Sequence, residues 1–231
     1  MEMVSGRTLC LIPAKGGSIR LARKNVISLG GRPLMGWAID AANRSACMDR
    51  IIVSTEDEAI AAIARELGAE TPFIRPLALA RDPAGVVDVA LHALSTLRDQ
   101  GDVYQTLVIL LPTCPFRTHE DIQNAIDLFR RDCGKFLMSV SKYEHTPFAA
   151  MKLGSNGLLQ PFFQEYIGLK SQDMPTAVRA NGAIHVLDVV AFEQARSYYA
   201  QPLLGYEMPW ERSVDIDTVH DLRLAESLLG S

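Results

Sequence analysis

Short apolar runs alternate along this chain with segments of helical period, and that alternation restricts the fold more than any other feature. Leu9–Ala14 is apolar and ends in a glycine turn, which predicts a strand buried on both faces. Pro33 marks a helix start, and Leu34, Trp37, Ala38, Ala41 and Ala42 supply its apolar stripe. Arg50–Ser54 predicts a second strand. Thr55 and Glu58 then have the spacing of a capping box, for a helix that reaches about Leu67 and is stopped by Gly68. Glu70–Ile74 is a short extended piece before the loop Arg75–Gly85, and Val86–Arg98 is helical by period. Thr106–Leu111 is a strand ended by Pro112, Thr118 caps a helix over Glu120–Arg131, and Lys135–Ser141 is a strand again. Ala183–Leu187 and Leu203–Met208 are strands around a helix at Val189–Ala195, and a terminal helix runs from Thr218 to Leu229. Such alternation predicts an α/β fold, with a parallel sheet covered on both faces by helices.

The pattern breaks between His145 and Ala180. Ala149–Leu153 and Leu158–Phe163 flank a turn at Gly154–Gly157 and predict a β-hairpin whose Leu158, Leu159, Phe162 and Phe163 need a cover. The chain reads as one domain over residues 1–231, with 145–180 as an insertion. At 48% apolar residues it can bury a sizeable core, and a net charge of −4 gives no basis for a nucleic-acid or membrane partner. The start M-E-M-V-S-G-R lacks a signal-peptide core and no apolar run approaches about 18 residues, so the cytoplasm is the expected compartment. The cysteines are scattered without zinc spacing; Cys10 reads as core and Cys114 as a passive thiol.

Chemistry concentrates in I-P-A-K-G-G-S-I-R-L-A-R-K-N, Ile12 to Asn25. A strand that opens into Gly16, Gly17 and Ser18, then Arg20, Arg23 and Lys24, suits a polyphosphate: glycines admit close backbone approach and the cations neutralise charge. It fits neither the P-loop nor the dinucleotide fingerprint. Asp215 and Asp217, two apart with Val214 and Ile216 turned inward, read as one face of a strand end and as a hard oxygen site for Mg²⁺. A helix N-cap network around Thr218 is the competing use of Asp217.

The Ile12–Asn25 run resembles the first motif of the N-acylneuraminate cytidylyltransferase (CMP-sialic acid synthetase) family. V-S-T-E-D-E (Val53–Glu58), I-R-P-L-A-L-A-R-D (Ile74–Asp82), L-L-P-T-C-P-F-R (Leu110–Arg117), R-A-N-G-A-I (Arg179–Ile184) and S-V-D-I-D-T (Ser213–Thr218) follow in family order across nearly the whole chain. The resemblance implies a Rossmann-like three-layer nucleotidyltransferase fold whose hairpin is a dimerisation arm, hence a homodimer. It implies transfer of CMP from CTP to the anomeric hydroxyl of a nonulosonic acid, with Mg²⁺ and release of pyrophosphate. Carried onto this sequence, nucleotide binding falls to Ala14, Lys15, Gly16, Gly17, Ser18, Asn25 (toward the ribose) and Arg75 (toward cytosine). Catalysis falls to Arg20, Lys24 and Asp217, the metal to Asp215 and Asp217, and the sugar acid to Leu111, Lys170, Arg179 and Asn181. Arg117 ties its turn to the fold, and His185, in a slot the family fills with an aromatic, faces the sugar.

The sequence departs from the family at defined places. Lys15 stands where the family has Arg, Ile19 where sialic-acid enzymes have Lys, Leu111 where they have Gln, and Pro83–Val86 where a hydroxyl-rich turn is common. Arg20 matches the Ser-x-Arg pattern of octulosonate cytidylyltransferases, which keeps an octulosonic acid as an alternative substrate. The departures also keep open a nucleotide- or sugar-binding homologue without turnover. An apolar Leu111 changes the edge offered to the sugar and favours a legionaminic-type acid over N-acetylneuraminate.

Overall fold

The computed structural model describes residues 6–18 and 20–230. The leader reading, on residues 1–5, and the replacement at Ile19 fall outside the described residues. In β1 (Thr8–Pro13), Leu9 and Leu11 face one helical layer while Cys10 and Ile12 face the other, all fully buried. The glycine turn leads through a minimal antiparallel ladder, β2 (Ser28–Leu29) and β3 (Arg32–Pro33), into α1 (Leu34–Ser45). β4 (Arg50–Ser54) then lies parallel to β1, with Ser54 opposite Pro13. α2 (Glu58–Glu66) is capped by Asp57 and not by Thr55. The Asp57 carboxylate immediately precedes the helix and accepts the N–H groups of Ala59 and Ile60 at 2.8 and 3.2 Å, while the Thr55 hydroxyl braces the turn by accepting the N–H of Asp57.

α3 (Val86–Asp99), β5 (Thr106–Ile109), α4 (His119–Arg131) and β6 (Phe136–Lys142) follow. The hairpin β7 (Met151–Leu153) and β8 (Leu159–Pro161) projects next, leaving Leu153, Leu159 and Phe162 each more than 60% exposed. β9 (Val178–Asp188), α5 (Val189–Ala195), β10 (Leu203–Glu207) and α6 (Val219–Leu229) complete the chain. Among the described residues no helix is long and apolar enough to cross a membrane.

The six-stranded sheet has the order β10-β6-β9-β5-β1-β4. It is parallel except at β9, which runs antiparallel to both β6 and β5 and corrects the expectation of a wholly parallel sheet. The cause is the arm. β6 runs into the insertion and β9 returns from it, so the two form the sides of one long hairpin, with Val178 opposite Lys142 and Arg179 opposite Ser141. β9 is therefore longer than Ala183–Leu187 and carries Arg179 and Asn181 on its first half. Its register slips opposite Ser139, where Gly182 adopts φ +71°. A side chain at Gly182 would strain the backbone and bring its Cβ within 3.2 Å of Leu111 Cδ1.

α1, α2 and α4 cover one face of the sheet, and α3 and α5 the other, giving three layers. α6 closes a smaller core with Leu29, Leu34, Val214 and Ile216. Residues 214–217 alternate in burial as expected, but they are not a sheet strand; the N–H of Ile216 bonds the Thr113 carbonyl at 2.8 Å.

Candidate active site

The parallel strands β1, β4 and β5 end at one edge of the sheet, and the loops leaving them surround a cleft of about 300 Å³. This is where open α/β sheets place their ligands. Lys15, Ser18, Lys24 and Asn25 line one side, Arg75 and an apolar wall of Leu79, Ala80, Ala84, Val86 and Val89 the other. Leu111, Pro112 and Thr113 lie beneath, and Asp215 and Asp217 close the end.

On the glycine turn, Ala14 is buried and its N–H extends the β1–β4 ladder to the Ser54 carbonyl at 2.9 Å. The Gly16 N–H donates to Glu56 Oε1 at 2.8 Å, and a Cβ on Gly16 would sit 2.8 Å from the Asp57 carboxylate, so a side chain there would displace the cap of α2. The Ser18 Oγ is buried without a partner and the Lys15 ammonium has no carboxylate partner among the described residues; both line the cleft. Gly17 has open space around it. Asn25 is buried and lines the cleft, and its amide donates to the Lys15 carbonyl at 2.8 Å, which also braces the turn.

Arg75 is not a surface loop residue. It is 3% exposed and its Nη2 donates to Glu56 Oε2 at 2.5 Å, with Nε left unpartnered. Burial alone would raise the Glu56 carboxyl; hydrogen bonds from Arg75, its own backbone amide and Gly16 outweigh that and hold it below the usual glutamate value. Sequence reasoning quoted the V-S-T-E-D-E segment but did not single out Glu56.

At the acidic end, Asp217 accepts from Lys24 Nζ at 2.6 Å through one oxygen and pairs with Arg20 Nη2 at 2.8 Å through the other. The N-cap network does not use its carboxylate, because Thr218 and Asp221 cap α6 reciprocally. Asp215 makes no ion pair among the described residues: desolvation in the cleft raises its carboxyl above the ordinary aspartate value, a Thr113 hydrogen bond and the Lys24 charge oppose the shift, and Asp217 adds to it. The segment is anchored at its root, where Arg212 grips buried Asp121 through two 2.8 Å bonds and Tyr206 donates to the same carboxylate at 3.1 Å.

A second recess of about 250 Å³ shares Asp215 with the cleft and is lined by Arg179, Trp210, Val214 and Leu224. Asn181 borders it, but its amide is engaged inward, donating to Ser213 Oγ at 2.9 Å and accepting from Ser139 Oγ at 2.6 Å. It positions β9 against the aspartate segment and offers no side-chain contact to a sugar. Lys170 lies exposed on the arm, outside both recesses. His185 does not face the site: it is buried against Tyr198 at 4.7 Å, and burial pushes it down to about 4. Arg117 is buried and donates to the Leu111 carbonyl, which ties the turn to the fold. Burial pushes the Cys10 and Cys114 thiols up to about 12, consistent with passive side chains.

A family model described as cytidylyltransferase matches residues 9–146. The pseudaminic acid cytidylyltransferase of Campylobacter jejuni is 30% identical over 222 residues, with 96% of each chain covered. The CMP-N,N'-diacetyllegionaminic acid synthase of Legionella pneumophila is 32% identical over 225 residues, again covering 96% of each. A CMP:2-keto-3-deoxy-manno-octonic acid synthetase solved with CTP superposes with a TM-score of 0.71 at 14% identity, over 97% of this chain and 98% of its own, a likeness of fold. With its nucleotide-sized crevice, cationic glycine turn and facing aspartates, the chain belongs to the cytidylyltransferase family.

Proposed function

We propose that this protein transfers CMP from CTP to the anomeric hydroxyl of a nonulosonic acid of legionaminic or pseudaminic type, releasing pyrophosphate. One observation carries the reading. Lys15 and Ser18, whose side chains have no ion pair or hydrogen bond among the described residues, and the Lys24–Asp217 pair line the same cleft as Asp215, and Asp215 also borders a second recess. In this reading the triphosphate lies against Lys15, Gly17, Ser18, Lys24 and Arg20, and the cytosine against the apolar wall and Arg75. The acceptor occupies the second recess, its carboxylate toward Arg179 and its hydroxyl beside Asp215. The hydroxyl oxygen gives up its proton to solvent and bonds the α-phosphorus as the bridging oxygen leaves with pyrophosphate, a step driven by positioning and charge neutralisation.

Mg²⁺ fits the donor set, since Asp215 and Asp217 offer hard oxygens and Asp215 makes no ion pair among the described residues. No group of three or more metal-binding side chains occurs among the described residues, so the remaining ligands are phosphate oxygens and water. When bound, the ion neutralises the phosphates. Leu111 lines the nucleotide cleft and not the second recess, so the choice of acceptor rests on the two relatives named for legionaminic and pseudaminic acids. The octulosonate alternative rests on Arg20 and on a fold likeness alone. We place the enzyme in the cytoplasm, where CTP is made.

The test is pyrophosphate release with CTP and Mg²⁺ across legionaminic, pseudaminic, sialic and octulosonic acids, with other NTPs as controls. Turnover with CTP and a legionaminic- or pseudaminic-type acid is expected. Turnover confined to octulosonic acid assigns the alternative, and CTP binding without any turnover assigns the non-catalytic one.

The arm supports a homodimer. Leu153, Leu158, Leu159 and Phe162 are each more than 60% exposed on the arm, apolar surface of the kind a partner covers. Lys170 belongs to the same arm, so its contact with a sugar acid is proposed across that dimer. Phe162→Glu is expected to convert dimer to monomer in sedimentation velocity; a wild type that sediments as a monomer rejects the arm as an interface.

A further inference from the structure

The glycine turn is unusual for an anion site, because two carboxylates stand beside it. β1 and β4 end in register, so the residues that follow, Gly16 and Glu56, diverge side by side. Glu56 accepts the Gly16 N–H through one oxygen and Arg75 Nη2 through the other, and the Arg75 N–H bonds the Thr55 carbonyl at 2.9 Å. The Glu56 and Arg75 side chains are 10% and 2% exposed. The Gly16 N–H is therefore occupied and unavailable to a phosphate, which leaves that contact to Ser18 and Lys15. Arg75 is held by one end of its guanidinium, and its buried Nε, the unpartnered nitrogen, belongs to a side chain lining the cleft.

We infer that Glu56 is a positioning residue for nucleotide binding, a single carboxylate that fixes the glycine turn and Arg75 relative to each other across the cleft. The inference rests on reading the cleft as a CTP site. Its physical basis is directional. A carboxylate can accept from both donors at once, whereas an amide has one acceptor oxygen and would turn an N–H₂ toward either Gly16 or the guanidinium. Pairing with Arg75 also neutralises an acid that would otherwise repel the incoming triphosphate. Neither partner is adjacent in sequence, so no local rule would hold this geometry without Glu56.

The test measures CTP affinity by calorimetry, and KM and kcat by pyrophosphate release, for wild type, Glu56→Gln, Arg75→Gln and the double variant. Glu56→Gln is expected to weaken CTP binding about tenfold and raise KM for CTP equally, with kcat at saturating CTP nearly unchanged. The double variant is expected to lose less affinity than the sum of the two single losses, because Glu56 acts in part through Arg75. A purely structural role would lower the melting temperature and leave the affinity of the folded fraction intact, and that outcome overturns the inference. So do fully additive losses. Should Glu56→Gln not fold, Arg75→Lys serves: it keeps a cation for Glu56 and removes the Nε–H, so wild-type CTP affinity there rejects the coupling. A wild type that binds CTP beside an unaffected Glu56→Gln overturns this inference alone; a wild type that does not bind CTP overturns the functional reading with it.

Discussion

Asp217→Asn is expected to lower the rate of pyrophosphate release by at least about a hundredfold while leaving the fold intact. The carboxylate accepts from Lys24 at 2.6 Å and from Arg20 at 2.8 Å, so one residue orients both cations. The amide keeps the shape and removes the charge, which releases the two side chains and takes one hard donor from the proposed Mg²⁺ site. The fold survives because Thr218 and Asp221 cap α6 without help from the Asp217 side chain. Circular dichroism should overlay wild type, and CTP-dependent turnover at saturating Mg²⁺ should collapse. A variant that turns over at the wild-type rate would remove Asp217 from both its catalytic and its metal role.

The largest effect on stability is expected at Asp121. It is 2% exposed, accepts two bonds from Arg212 and one from Tyr206, and completes the capping box of α4. Asp121→Ala leaves the Arg212 and Tyr206 donors without their partner and removes the reciprocal half of the α4 capping box, while the Thr118 cap stays, a loss of about 2–4 kcal/mol. For a chain of this size that lowers Tm by roughly 10 °C, readable by calorimetry at neutral pH. The pH dependence has a definite sign. Burial would raise the Asp121 carboxyl, but Arg212 and the Thr118 amide hold it below its ordinary 3.8. Its contribution is therefore complete above about pH 4 and is lost as the pH falls through the depressed folded value. Wild type should lose stability over that acid range, and Asp121→Ala should lose less of it. Equal acid profiles would show that Asp121 is not a carboxylate on which the native state depends.

Local pattern made much of the fold legible. Arg50–Ser54 and Val189–Ala195 form the elements expected of them, because each is a short run whose period and flanks agree. The arm was legible as a hairpin because Gly154 and Gly157 punctuate two apolar stretches. Strand direction was not legible at β9. A strand that closes a long insertion carries the same apolar run whether it enters parallel or antiparallel, and only the path of the arm decides. Asp57 displaced Thr55 as a cap because both residue types can cap and only the exact helix start chooses between them. In the candidate site, the cations and acids of the cleft were visible as motifs. Their partners were less so: Glu56 meets Arg75 and Gly16 through tertiary contact, Asn25 braces the glycine turn and Asn181 turns inward, because buried amides need donors and acceptors that the sequence does not display.

The place of β9 in the sheet also governs how the chain comes to be folded. Everything through residue 146 is made first, yet in that stretch β6 has no sheet neighbour and β5 presents Leu107, Val108 and Ile109 on an open edge. Only when β9 has been synthesised, after the whole arm, can β5 and β6 be joined, and β10 can then dock on β6. The nascent chain therefore carries an unpaired apolar edge for some forty residues of synthesis, a few seconds on the ribosome. A fragment cut at 146 should be insoluble rather than a smaller working domain, and expression yield should respond to chaperone supply and temperature more than to the thermodynamic stability of the finished protein.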